Sequence, residues 1–240
     1  MKQEMGKYTK EDIVIWNYLF KNQYKNLENK VCWEYMDCMN QLSSVLNSFE
    51  IPNFDGLNSK LKAATGWTIH VVPGLIEADV FFDHLRNKRF CASTWLRSRK
   101  ELNYIEEPDM FHDIFGHIPL FMNHDYGAFA QKIGELACKW KQNLNKIEQL
   151  QRLYWFTIEF GVISRNGKTK SYGAGIISSI KEATIVDEGK SLFIPYDINK
   201  IIHQEYDIDT VQPRYFEITT FKQLYESLNE LEVLFNNSAA

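Results

Sequence analysis

The segment Glu107-Pro108-Asp109-Met110-Phe111-His112-Asp113-Ile114-Phe115-Gly116-His117-Ile118-Pro119 carries two histidines five residues apart. Neutral imidazoles suit a divalent metal ion, and their spacing decides whether they can share one. On a regular α-helix five residues rotate by roughly 500°, leaving the two side chains about 140° apart. The flanking residues predict a very short helix instead. Pro108 suits its first position, Asp109 its positive end, Gly116 its C-terminal stop, and Pro119 forbids continuation. A helix ending at Gly116 leaves His117 free to turn back toward His112.

Two imidazoles leave a metal under-ligated, so a carboxylate among apolar neighbours is expected. Glu159 stands in Tyr154-Trp155-Phe156-Thr157-Ile158-Glu159-Phe160-Gly161, the most aromatic run in the chain. A buried Glu must be protonated, paired with a core Arg or bound to metal. Two His and one carboxylate with open positions make the facial triad of non-haem Fe(II) oxygenases. His70 on an alternating strand, His84 on a polar helix face, and His124 and His203 in polar contexts read as solvated or satisfied side chains. Two other chemistries compete. His112-Asp113 and His124-Asp125 are HD dipeptides of a kind used by metal-dependent phosphohydrolases, without a clear distal Asp or basic phosphate clamp. A closed four-ligand zinc site would instead mark a non-catalytic binder of an aromatic ligand.

The elements that must position these groups read as mostly helical. Thr9 and Asp12 form a capping-box pattern ahead of Ile13, Trp16, Leu19, Phe20 and Tyr24. A second helix runs through Val31, Tyr35 and Leu42, and Pro52, Asn53 and Gly56 mark a loop. Trp67 to Val72 alternates as a strand closed by Pro73-Gly74. Phe81, Phe82 and Leu85 suggest a helical turn, and residues 90 to 97 look extended before a polar loop, Ser98 to Asn103. Trp140, Leu144, Ile147, Leu150 and Tyr154 keep one helical period toward Phe160, stopping at Gly161. Strand-like pieces lie at Ser191 to Pro195 and Tyr215 to Thr219, and a last helix carries Phe221, Leu224, Leu228, Leu231 and Phe235. The expected fold is α+β, predominantly helical, with small short-stranded sheets. Strands and helices do not alternate, which excludes a doubly wound sheet. Gly173-Ala174-Gly175 lacks the third glycine of a dinucleotide loop.

The chain has 240 residues, 45% hydrophobic and 24% charged, with net charge −4. It is long enough to bury a core without disulfide or metal staples. It shows no basic stripe for nucleic acid, no apolar span for a membrane and no secretory leader. The four cysteines, Cys32, Cys38, Cys91 and Cys138, form no CxxC pair and fit reduced thiols in the cytoplasm.

Val72-Pro73-Gly74-Leu75-Ile76, Tyr104 to Leu120, Tyr154 to Gly161, Ser171 to Ser179 and Gln212-Pro213 together resemble the pterin-dependent aromatic amino acid hydroxylases, most closely their bacterial, phenylalanine-hydroxylating branch. Order and spacing match without visible gaps from Gly74 to His117, and the likeness runs from Trp67 to the last helix. Tyr8-Thr9 with Trp16 also resembles the start of the bacterial enzymes. The resemblance implies that His112, His117 and Glu159 hold Fe(II) and that a tetrahydropterin and O2 serve as co-substrates. One oxygen atom would go to the ring of an aromatic amino acid. It places the pterin against the backbone of Gly74, Leu75 and Ile76, with Phe81 stacked on it and Asp113 nearby, a water bridging the shorter carboxylate. It assigns Arg97 to the amino acid's carboxylate and Trp155, Phe111, Pro108 and Ser178 to its surroundings.

Ile105 and Cys91 depart from the Thr and His of animal members and are not expected in the site. A large Trp155 and an apolar Ile208 imply L-phenylalanine as substrate and L-tyrosine as product, in phenylalanine catabolism. Residues 1–240 are expected to form one catalytic domain, motif-bearing over about 67–236, without a regulatory domain or tetramerisation tail, hence a monomer. Its partners would be small molecules.

Overall fold

The computed structural model describes residues 1–102, 105, 107–208 and 210–237. Asn103, the end of the expected polar loop, and Tyr104, which opens one resembling segment, lie outside them. Helix α1 (Lys10–Asn26) starts at the expected capping box: Asp12 donates its N–H to Thr9 Oγ1 at 3.1 Å, and Thr9 donates its own to Asp12 Oδ2 at 2.7 Å. Its buried face is Ile15, Trp16, Leu19, Phe20 and Gln23, whereas Ile13 and Tyr24 face outward. The stripe is therefore rotated from the expected one. A buried glutamine fits because Gln23 Nε2 donates to the Ile177 carbonyl at 2.6 Å.

Helix α2 (Trp33–Leu42) follows, then α3 (Phe54–Ala64). Pro52 and Asn53 lie in the expected loop, but α3 starts at once: Asn53 accepts the Asp55 N–H at 2.8 Å, and Gly56 lies inside the helix. Strand β1 (Thr68–Val71), α4 (Ala78–Arg86) and β2 (Arg89–Ala92) form one parallel strand–helix–strand unit; the three elements were expected, their parallel pairing was not. The chain from Ser93 to Arg97 carries no regular structure.

Helix α5 (His124–Lys139) ends just before Trp140, and the long period expected from Trp140 starts as a helix only at α6 (Leu144–Tyr154). Asn143 caps α6 by accepting the Lys146 N–H at 3.1 Å, and Leu144 is left exposed. Strands β3 (Val162–Arg165) and β4 (Lys168–Ser171) make an antiparallel hairpin turned by Asn166-Gly167, both with positive φ (53° and 71°). Asn-Gly between extended runs is the strongest short-range hairpin signal. Helices α7 (Ala174–Ile177) and α8 (Ile180–Asp187), strand β5 (Leu192–Pro195), α9 (Ile198–Ile201), β6 (Arg214–Ile218) and α10 (Phe221–Asn237) complete the chain. The larger sheet runs β4-β3-β6-β5, with β6 parallel to both neighbours. The architecture is the expected mostly helical α+β domain with small sheets.

The core is centred on the histidine segment. Phe111 and Phe115 stack at 4.8 Å, Trp16 meets Phe111 edge-on at 5.8 Å, and Phe20 meets Phe115 at 5.1 Å. Burying an aromatic of this size stabilises by about 2–3 kcal/mol, so α1 grips the segment through its own hydrophobic face.

Candidate metal centre

His112–His117 is a π-helix, continued by a 3-10 turn, Ile118–Met122, with Pro119 near its start. The expected stop at Gly116 does not occur. Bonding i→i+5 turns the chain by only about 80–85° per residue, so five residues bring side chains within about 50° of each other. The π-helix, not a broken helix, makes the shared site. Glu159 ends a second π-helix, Trp155–Glu159, closed by Phe160 N–H donating to the Trp155 carbonyl at 2.9 Å. Helix α7 packs between the two. A Cβ on Gly116 would lie 3.0 Å from the Ala174 carbonyl oxygen, and one on Gly173 2.4 Å from that of Glu159. Glycine there lets the backbones meet.

His112, His117 and Glu159 each offer one ligand atom, and these atoms lie within 4.8 Å of one another. His117 Nε2 is 3.1 Å from Glu159 Oε1 and 3.1 Å from His112 Nε2, and His112 Nε2 is 3.5 Å from Glu159 Oε2. Three acceptor-capable atoms face one point, which is the donor set of an open divalent-metal site. Ser178 Oγ donates to the Ala174 carbonyl at 2.8 Å and so accepts from His112 Nδ1, 2.8 Å away. That puts the proton on Nδ1 and frees Nε2 for a metal. His117 is held by packing: Phe90 lies 4.5 Å from its ring, and its buried Nδ1 has no partner among the described residues.

Burial pushes His112 down to about 4, against the pull of the Glu159 charge, so the ring is neutral at pH 7. Burial would raise Glu159, but His117, then His112, then the Tyr154 hydroxyl outweigh it and hold the carboxyl at about 2. Neutral imidazole and ionised carboxylate are the states that ligation needs.

Arg97 is buried rather than at the surface. Its Nε and Nη2 donate to Asp109 Oδ2 and Oδ1 at 2.9 and 2.8 Å, and its backbone N–H adds a third bond at 3.0 Å. Asp109 Oδ1 also accepts the His112 N–H at 3.1 Å. Asp109 was missed as a site residue. Its signal was an Asp three residues before the first His, here a cap that ties the arginine to the metal segment. Phe111, expected as a wall, is 1% exposed and lies under the Arg97 guanidinium, 5.6 Å from ring centroid to Cζ. Trp155 stacks on Tyr206 at 4.4 Å and donates to Gln212 Oε1 at 3.2 Å. Pro108 is half-buried beside Asp109. Tyr206 had no signal in the sequence reading.

Gly74 and Ile76 are half-buried, Leu75 is exposed, and Phe81 meets Tyr154 edge-on at 5.2 Å. Asp113 is buried, and burial pushes its carboxyl up to about 7 although Oδ2 accepts the Ser93 N–H at 2.8 Å. Cys91 is buried with its thiol pushed up to about 12 by burial, an inert side chain. Ile105 is half-buried and Ile208 exposed. His70 stacks on His84 at 4.1 Å, away from the triad. His124 and Asp125 are exposed at the start of α5, so the second HD dipeptide does not join a phosphohydrolase site. Nor does a fourth ligand converge, among the described residues, to close a zinc site.

A family model described as "Biopterin-dependent aromatic amino acid hydroxylase" matches residues 4–237. The chain is 41% identical over 228 residues to the phenylalanine-4-hydroxylase of Chromobacterium violaceum, covering 95% of this chain and 76% of that protein. It is 35% identical over 228 residues to that of Vibrio cholerae, covering 95% and 77%. A cobalt-bound crystal structure of the C. violaceum enzyme superposes with a TM-score of 0.91 at 41% identity, covering 95% of this chain and 81% of that one. Another, with bound iron(III) and oxidised 7,8-dihydrobiopterin, superposes at 0.90 and 39% identity, covering 99% and 86%. The chain belongs to the biopterin-dependent aromatic amino acid hydroxylases.

Proposed function

We propose that this chain hydroxylates the ring of L-phenylalanine to L-tyrosine with O2, a tetrahydropterin and Fe(II), in phenylalanine catabolism. The convergence of His112, His117 and Glu159 carries the reading. These three would hold Fe(II), which when bound supplies O2 activation with coordination positions left open. The chain's own residues do the rest. Ser178 keeps the proton on His112 Nδ1 and so aims Nε2. Arg97 receives the substrate carboxylate, while Asp109 fixes its guanidinium plane. Pro108 and Trp155 flank the ring, and Phe111 supports Arg97 from beneath. The backbone of Gly74, Leu75 and Ile76 binds the pterin edge, Phe81 stacks on it, and Asp113 closes the floor.

Residues 1–240 act as one catalytic domain. A monomer is expected, with Leu224, Leu228, Leu231 and Phe235 of α10 buried within the chain rather than offered to another copy. The four cysteines are free, which fits the cytoplasm. No described helix is long and apolar enough to cross a membrane. The test supplies Fe(II), a tetrahydropterin and air, offers Phe, Tyr and Trp separately, and identifies products by chromatography. Tyrosine formed from Phe faster than any product from the others is expected. No product with iron bound would overturn the reading.

A further inference from the structure

Neither π-helix is an economical way to bond a backbone, and each meets a buried hydroxyl. In the histidine segment the residue four beyond Phe115 is Pro119, which has no N–H to give the Phe115 carbonyl. Tyr35, fully buried on α2, donates its hydroxyl to that carbonyl at 2.7 Å, across 80 residues of chain. In the glutamate segment Thr157, also fully buried, donates Oγ1 back to the Leu153 carbonyl at 2.5 Å, one turn below. Such back-bonding by a helical Thr competes with the regular ladder and bends the helix. Neither hydroxyl is bonded to His112, His117 or Glu159.

An unsatisfied buried carbonyl costs about 1–3 kcal/mol. Removing the Tyr35 hydroxyl leaves the Phe115 carbonyl without a donor that Pro119 cannot replace, and removing the Thr157 hydroxyl releases the Leu153 carbonyl to the regular ladder; either change shifts a ligand-bearing turn. We propose that Tyr35 and Thr157 are positioning residues that hold the two ligand-bearing π-helices open, and so set the affinity and geometry of the metal centre. This rests on the reading that His112, His117 and Glu159 hold a metal.

Thr65 provides the control. Its Oγ1 donates to the Phe121 carbonyl at 2.7 Å, also buried but in the 3-10 turn beyond the histidines. The experiment titrates the full chain with Co(II), reading dissociation constant and d–d spectrum, for wild type, Tyr35→Phe, Thr157→Val and Thr65→Val. Far-ultraviolet circular dichroism checks the fold of each variant. Amide exchange of the metal-free proteins supplies a second readout. Tyr35→Phe and Thr157→Val should each weaken Co(II) binding about tenfold, the lower end of what loss of ligand orientation costs, and shift the spectrum. Exchange should quicken in 112–117 for Tyr35→Phe and in 155–159 for Thr157→Val. Thr65→Val should lower thermal stability yet bind Co(II) like wild type. If wild type binds and all variants match it, the inference falls. If Thr65→Val weakens binding as much, the effect is general stability and the inference falls too. If wild type takes up no ion, the metal reading falls, and this inference with it.

Discussion

His117, Asp109 and Phe111 at the floor of the site are all but removed from solvent, whereas Leu75, expected to meet the pterin through its backbone, and Ile208, whose apolar side chain implied the substrate, form an outer rim and are 71% and 69% exposed. Most polar groups of the floor are bonded: Asp109 to Arg97 and the His112 amide, Asp113 to Ser93, His112 to Ser178. His117 Nδ1 is the exception. The segment from Gly74 to Ile76 presents backbone and apolar side chains. A buried floor whose polar groups are bonded to one another holds fixed geometry, which a metal ion demands. The pterin proposed at Gly74 to Ile76 would demand only contact and a few backbone bonds.

The sharpest way to break the contrast is at the triad. His112→Ala or Glu159→Ala should lower product formation about a thousandfold or more, with metal content falling in parallel; retained turnover would remove both from the centre. Next comes the fork. Asp109→Asn leaves a buried guanidinium without its charge partner, and should cost about 3–5 kcal/mol in urea denaturation and raise the KM for phenylalanine. An unchanged KM would mean that Arg97 does not receive the carboxylate.

Asp113 tests the floor by pH. Its native carboxyl ionises near 7 and the unfolded one near 3.8, so between those values the native state binds more protons. The wild type therefore loses stability as pH rises through that window, and Asp113→Asn does not. In the metal-free proteins the variant should gain about 2–3 kcal/mol on wild type between pH 5 and 8. A constant difference would mean that the carboxyl is not desolvated. At the rim, Leu75→Ala should change the pterin KM less than about threefold, because the expected contact there is backbone. A larger change would bring the side chain into the site.

The triad was legible in the sequence because two chemical signals were strong, a histidine pair and a glutamate inside an aromatic run. The geometry that joins them was not. Gly116 and Pro119 suggested a stop, but a π-helix is a backbone choice made by tertiary partners such as Tyr35, far away in sequence. Arg97 was legible as a cation, while its burial depended on Asp109, read only as a helix-end charge. The rotation of α1 escaped because Gln23 is polar, and its burial makes sense only once the Ile177 carbonyl is known to meet it. The β3–β4 hairpin, absent from the expected elements, is written in Asn166-Gly167.

The bond from Gln23 to Ile177 joins residues 154 apart, next to the serine that orients His112. At about 5–20 residues per second, translation delivers Glu159 some 2–8 s after His117, and Ser178 later still. Through that interval the two imidazoles have neither the carboxylate nor the hydroxyl that makes them ligands. Iron uptake is thus a property of the finished chain, and a chelator present only during synthesis should leave the final iron content unchanged.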